Sequence, residues 1–297
     1  TRRRTVLVVA FAHSRIWREP YPGAMHFLIL WGVLIIFLGK IVRLFSYPIG
    51  LRNPPQHLFL YASFISEIGG ILVLIGGGLA IYRRYILKPS RLDTKPENHL
   101  IYVLGFAILV TGYLIKAFRM VIVGTPIPPD WLAWAPISYP ISRLMLVLPT
   151  PLLNELLLWH RVFMHSVPAS SFLVYSIISR SPLKHMFLSA LNVFYRPLKP
   201  RGALQPIPNF EEAETFGVSH IREFTWKQLL DLEACTRCGR CQDHCPAHLT
   251  EKPLSPKKVI LDLRAHLHEK GKPLIWNQAP KENEEPRLAG ELISQDT

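Results

Sequence analysis

The sequence predicts an all-α protein in two parts, a polytopic membrane helical bundle of four spans followed by a small helical domain built around cysteines. Three observations carry this. Hydrophobic residues make up 49% of the 297 residues and the mean hydropathy is +0.19, with apolar runs near the roughly 20 residues that cross a bilayer as helix. Basic residues gather in alternate connections, as cytoplasmic loops do. All four cysteines lie in one run, Cys235-Thr-Arg-Cys238-Gly-Arg-Cys241-Gln-Asp-His-Cys245-Pro246.

Residues 1–23 are basic, with Arg2 to Arg4, Arg15 and Arg18, and read as a cytoplasmic loop on the membrane surface. A membrane domain follows over 24–195. Its first span runs from Ala24 to about Phe45, with His26 near its start and Lys40 near its end. The connection from Ser46 to Gln56 holds one basic residue, Arg52, and is placed outside. The second span, about His57 to Ile81, carries Glu67 near its middle and small residues that let helices approach closely. Arg83, Arg84, Lys88, Arg91 and Lys95 then return the chain to the inside. The third span, about His99 to Val123, ends near Lys116 and Arg119, which are expected to snorkel outward. The Pro- and Trp-rich stretch 124–151 reads as an outer interfacial loop, and the fourth span runs from near Leu152 past His165 toward His185. A further span is expected ahead of residue 1.

A linker over 196–225 leads to the amphipathic segment Trp226–Glu233, which enters the cysteine run. The spacing C-x2-C-x2-C-x3-C-P is that of a [4Fe–4S] ferredoxin site, so 226–297 is expected to be a ferredoxin-type iron–sulfur domain. Cys235, Cys238, Cys241 and Cys245 are its metal ligands. Zinc is the alternative, but zinc sites favour two separated Cys pairs or Cys/His mixtures. A disulfide framework would spread its cysteines to close loops, so this run points to a reducing, cytoplasmic location. After it, Ser255 and Pro256 form a helix start ahead of VILDLRAHL. The net charge of +13 is accounted for by the inner loops, and no interleaving of aromatic and basic residues indicates nucleic acid.

Histidines inside spans are costly and mark candidate sites, here as axial ligands of haem iron. His165 and His185 are 20 residues apart, roughly 30 Å along one helix, which assigns them to opposite faces. His26 begins the first span on the inner side and is expected to meet His185 across a haem b. His165 is the outer candidate, with Lys40 at the matching depth of the first span. Each of these histidines has an ordinary hydrogen-bonded role as its alternative. Glu67, Lys116 and Arg119 read either as a buried ion pair or as contacts to propionates or quinone.

Two stretches resemble known families. His26 followed by LILWGVLIIFLGK, with the late Ser181-Pro-Leu-Lys-His185, resembles the haem b domain of the respiratory nitrate reductase γ-subunit, where these positions carry the inner haem pair. Lys40 departs from that pattern where the family has an outer-haem histidine. The stretch FTWKQLLDLEACTRCGRCQDHCPAHLTEKPLSPKKVILDLRAHL is similar to membrane-bound iron–sulfur oxidoreductases related to heterodisulfide reductase, of the electron-transfer-flavoprotein:menaquinone type used in bacterial fatty-acid oxidation. The resemblance implies two [4Fe–4S] clusters, with Cys245 on the second, whose remaining ligands come from a second cysteine run expected near where this sequence stops. The chain then reads as a fragment; a single cluster bound by all four cysteines is the alternative.

The resemblance further implies a multi-pass plasma-membrane oxidoreductase passing electrons from a reduced electron-transfer flavoprotein through the clusters and haem b to menaquinone. Its iron–sulfur domain faces the cytoplasm. Membrane lipid, the flavoprotein and menaquinone are the expected partners. The runner-up is a quinol-interacting subunit of a heterodisulfide-reductase-like or sulfur-metabolism complex. A zinc-stabilised docking anchor is the reading from a different class.

Overall fold

The computed structural model describes residues 1–46, 56–123, 131–177, 182–198, 200, 210–212, 217–275, 287–290 and 292–293. These are helical, with no strand among the described residues beyond an isolated bridge between Ala289 and Ile293. The outer connection with Arg52, residues 124–130, much of the linker and most of the polar tail lie outside the described residues.

Two compact units form. The first contains Phe11–Lys88 and Thr94–Ser181. In it, α2 (Pro20–Ser46), α3 (Gln56–Tyr82) and α4 (Pro96–Val123) cover the first three expected spans. These three are long and apolar enough to cross a membrane. Helices α2 and α3 pack backbone to backbone. A Cβ on Gly32 would lie 2.7 Å from the Gly69 carbonyl oxygen, and one on Gly69 would lie 2.8 Å from that of Gly32, so only glycine fits at both places. The neighbouring Gly77 faces Phe106 of α4 instead.

The stretch read as an outer interfacial loop holds two short helices, α5 (Trp131–Trp134) and α6 (Ser138–Met145). Phe118, Met120 and Val121 of α4 pack with Ala135 and Leu153 into the core of this unit. The fourth expected span is a helical run in three parts, α7 (Thr150–Trp159), a π-helical turn (His160–Ser166) and α8 (Val167–Ile177). It does not reach His185. A 3-10 turn at Pro182–Lys184 precedes a separate helix, α9 (His185–Phe194), so the 30 Å estimate along one helix does not apply to His165 and His185.

The second unit contains Thr1–Ala10, Pro89–Asp93 and Pro182–Thr297. It therefore begins ahead of the expected boundary at 195/196 and takes in a connection between two membrane-length helices. Residues read as an N-terminal loop are helical here: α1 (Arg2–Val6) continues into a π turn over Leu7–Phe11. The physical reason is the apolar run from Val6 to Phe11, in which nothing breaks a helix. Arg2 of α1 donates to the Phe194 carbonyl at 3.0 Å.

Around the cysteines the local signals hold. Helix α10 (Trp226–Glu233) opens on a capping box, with the Gln228 amide donating to Thr225 Oγ1 at 3.3 Å and the Thr225 amide donating to Gln228 Oε1 at 2.8 Å. Helices α11 (Arg240–Asp243) and α12 (Pro246–Leu249) follow, then α13 (Pro256–Ile275) with Ser255 as its cap, accepting from the Lys258 amide at 3.2 Å. Ile221, Leu232, Leu263 and Leu288 form the core.

Candidate functional site

The cysteine run is placed by what flanks it. Leu232 anchors the end of α10 in the core, and the Cys235 amide closes the turn onto its carbonyl at 3.3 Å. The backbone then turns left-handed twice, at Arg237 (φ 59°) and Gly239 (φ 73°). Glycine adopts that conformation freely, and a second constraint acts at the same place. A Cβ on Gly239 would come within 2.7 Å of Arg91 Cβ and 2.9 Å of the Arg91 carbonyl oxygen. Cys245 caps α12 in an extended conformation, with Pro246 as the first helical residue.

The Pro89–Asp93 segment is fastened onto this turn by charge. Arg91 pairs with Asp243 at 2.8 Å, Lys257 bridges the Arg91 carbonyl at 2.9 Å and Asp93 at 2.8 Å, and Arg237 reaches Asp93 at 3.5 Å. The hydrogen bond from Lys257 is the main reason the Asp93 carboxyl lies below its ordinary range. Arg264 of α13 donates to the Cys235 carbonyl at 2.9 Å, bringing a guanidinium beside the turn. Glu233 is held by Lys184 and His268. Sequence reasoning saw residues 83–95 only as a basic loop. Nothing local marks Arg91 or Asp93 as neighbours of the cysteines.

The donor set suits iron–sulfur chemistry. Burial, and then the neighbouring Cys238 and Cys235, push the Cys241 thiol up. These thiols sit close enough to oppose one another's ionisation, and binding iron releases their protons. Among the described residues no three His, Cys, Asp or Glu side chains stand in a ready-made metal-holding arrangement.

In the membrane-length unit the structure brings His160 and His165 together. Five residues along an α-helix would leave them roughly 140° apart, but the π turn that contains both widens the helix, and both rings reach one residue. His160 Nε2 lies 3.2 Å from the Thr111 carbonyl, and His165 Nδ1 lies 3.0 Å from Thr111 Oγ1. The Thr111 hydroxyl gives its single proton to the Ala107 carbonyl at 2.5 Å. With its proton there, the hydroxyl oxygen can accept from His165 Nδ1–H, in the tautomer whose Nε2 carries the lone pair. That tautomer, fixed by a hydrogen bond on the far nitrogen, is the one a haem-iron ligand needs. Lys40 of α2 is close enough to act electrostatically on His165.

Glu67 resolves into an ion pair. It is 1% exposed and takes Lys116 Nζ at 2.7 Å, the Ile137 amide at 2.8 Å and the Ser138 amide at 3.3 Å. Lys116 also donates to the Ser63 carbonyl at 3.3 Å, so it turns inward rather than snorkelling. An unpaired buried carboxylate costs more than a snorkelled lysine gains. His26 lies in the second turn of α2, its ring centroid 6.2 Å from that of His13. His185 is the first residue of α9 and belongs to the cysteine-bearing unit, unlike His26 and His165.

Comparison with known proteins follows the same division. The 4Fe-4S binding domain family matches residues 226–247. The "EtfAB:quinone oxidoreductase" of Syntrophomonas wolfei is 36% identical over 276 residues, covering 92% of this chain and 38% of that protein. The chain belongs with the membrane iron–sulfur oxidoreductases. The "Probable iron-sulfur-binding oxidoreductase FadF" of Bacillus subtilis is 31% identical over 281 residues, covering 91% of this chain and 38% of its own. A "Probable membrane-anchored ferredoxin" of Chromohalobacter salexigens is 35% identical over 102 residues, covering 31% of this chain and 15% of its own. This chain thus spans little more than a third of the first two relatives. No solved structure matches it.

Proposed function

We propose that this chain is the membrane-embedded electron-transfer portion of an oxidoreductase that takes electrons from a reduced electron-transfer flavoprotein and delivers them to menaquinone. The observation that carries the reading is the C-x2-C-x2-C-x3-C-P run built on the Gly239 turn, in a chain that also has three membrane-length apolar helices. The name of the Syntrophomonas relative, an EtfAB:quinone oxidoreductase, supports the flavoprotein and the quinone.

In this reading Cys235, Cys238 and Cys241 hold one [4Fe–4S] cluster and Cys245 belongs to a second. Bound clusters and haem b supply one-electron carriers between a soluble donor and a lipid-soluble acceptor. His26 and His185 are each assigned as an axial ligand of haem b on the inner side. His165, held in its Nε2 lone-pair tautomer by Thr111, is the assigned ligand of a second. Arg264 supplies positive charge beside Cys235, which favours the reduced state of a neighbouring cluster. The excess of basic residues in alternate connections supports a plasma-membrane location with the cysteine domain on the cytoplasmic face.

The test is anaerobic reduction of the purified intact protein by reduced electron-transfer flavoprotein, followed at the b-type α-band with menaquinol measured as product. The reading expects both to appear in the parent. It expects the α-band of the inner haem to be lost in His185→Ala while the clusters are still reduced. Unchanged haem content in both His26→Ala and His185→Ala removes the inner-haem assignment.

A further inference from the structure

Helix α9 carries its polar residues on the side that meets α10 and large apolar residues on the side that faces outward, the reverse of a helix at a water-facing surface. At about 100° per residue, Met186, Phe187 and Leu191 share one side, where they are 44%, 62% and 47% exposed. Asn192 is on the other, where it accepts from Lys227 Nζ of α10 at 2.8 Å. Lys184, just ahead of α9, pairs with Glu233 at the end of α10. The helix is thus fastened by polar contacts while its bulky apolar side chains stay outside. Helix α1 packs on it, with the Arg2 guanidinium 6.0 Å from the Phe194 ring as well as on the Phe194 carbonyl. The π turn that continues α1 leaves Leu7 and Val8 exposed in the same way.

The length of α9 narrows what can cover that face. Its 10 residues reach about 15 Å, half of the roughly 30 Å of a bilayer core, so it is too short to cross. None of its residues is buried, so it is not a core helix. An apolar helix that does neither belongs in the boundary between lipid and water. The same chain is built to cross a bilayer nearby in sequence: α2 begins 10 residues after Ala10, and Pro89–Asp93 lies between α3 and α4, all three of membrane length. Charge agrees, since Arg3 and Arg4, on the helix packed against α9, are exposed, and basic side chains beside an apolar face suit anionic lipid headgroups.

We propose that α9, together with α1 and its π turn, is a lipid-binding face of the cysteine-bearing unit, with Met186, Phe187, Leu191, Leu7 and Val8 entering the headgroup boundary of a bilayer. Helix α9 is fastened to α10, and α10 runs directly into Cys235, so this face holds the cysteine turn at the membrane surface rather than leaving it on a loose tether. The inference goes beyond the electron-transfer reading and rests only on the chain being embedded in a bilayer. No bond is made or broken at this face.

The experiment is photolabelling of the purified intact protein in vesicles of phosphatidylethanolamine and phosphatidylglycerol. Two phospholipid probes are used, one with its diazirine near the glycerol and one with it at the end of an acyl chain, and the labelled residues are located by peptide mass spectrometry. Phe187 and Leu191 are expected to take at least about fivefold more label from the shallow probe than from the deep one, as a helix buried about 5–10 Å into the boundary does. Ile75, exposed within α3, is the internal control and is expected to take label from the deep probe. Equal labelling of Phe187 and Leu191 by the two probes means that α9 enters the bilayer core and overturns the assignment. So does their protection from both probes while Ile75 is labelled, which means that protein covers the face. Protection of Ile75 as well overturns the bilayer location of the chain together with the assignment.

Discussion

At the cysteine turn the chain leaves helical geometry because of residues inside the turn. Gly239 supplies the left-handed step, Pro246 restarts the helix, and Thr225 and Ser255 cap the helices on either side. At the histidine turn the chain also departs from α-helix, over His160–Ser166, just ahead of Pro168, which has no N–H to give to the carbonyl four residues back. What stands out is the neighbour, Thr111 on another helix, which receives both rings. The first site takes its backbone from residues within the turn and is clasped by Arg91 and Asp93, whereas the second brings its two rings together only against a residue of another helix. Substitutions should therefore act locally at the first and through partners at the second.

The largest expected effect is at the cysteines. Cys238→Ser or Cys241→Ser should remove the bound iron assigned to the first cluster, measured as iron and acid-labile sulfide per chain, without disturbing insertion into the membrane. Glu67→Gln comes next, because it leaves Lys116 facing a neutral partner in a buried site. It should destabilise the membrane unit by about 3 kcal/mol or more, read as a lower thermal unfolding temperature in detergent. Cluster assembly in the other unit should be spared.

Gly239→Ala tests the local side of the comparison. It meets both a left-handed backbone and Arg91 at 2.7 Å, and a cost of about 1–3 kcal/mol should appear as faster loss of cluster absorbance in denaturant. A smaller effect is expected from acid. Lys257 beside Asp93 lowers the carboxyl's pKa, so the stability this pair contributes is present above the ordinary carboxylate range and is lost as pH falls through the lowered value. Asp93→Asn should flatten that acid limb of a cluster-stability profile. The smallest is Arg264→Gln, which removes a positive charge beside Cys235 and should lower the cluster potential by on the order of tens of millivolts, measured by redox titration.

What could be read from the sequence follows the same line. Helix α10 was legible to the residue because its cap, its apolar face and its end all lie within a few positions. The first three spans were legible because length and apolarity alone specify a membrane helix. The fourth span was carried too far toward His185: a 3-10 turn at Pro182–Lys184 precedes α9, and Ser181-Pro182 is its local signal, since proline does not continue a helix. Lys116 had two readings, snorkelling outward as a lysine near a helix end does or pairing with Glu67, and the sequence could not choose between them. Its partner Glu67 lies 49 residues away in sequence, and only packing of α3 against α4 joins them. Arg91 and Asp93 were hidden for the same reason, on a connection between two membrane helices yet part of the cysteine-bearing unit.

The central claim is that one chain carries both an iron–sulfur turn and membrane histidines that serve haem. The most direct measurement is iron, acid-labile sulfide and haem per chain in the natively purified protein, with the visible spectrum recorded before and after reduction. The expected result is iron and sulfide for at least one [4Fe–4S] cluster, and a b-type α-band that sharpens on reduction. Zinc in place of iron, with no haem band, would contradict it and make the cysteine turn a structural clip on a membrane anchor.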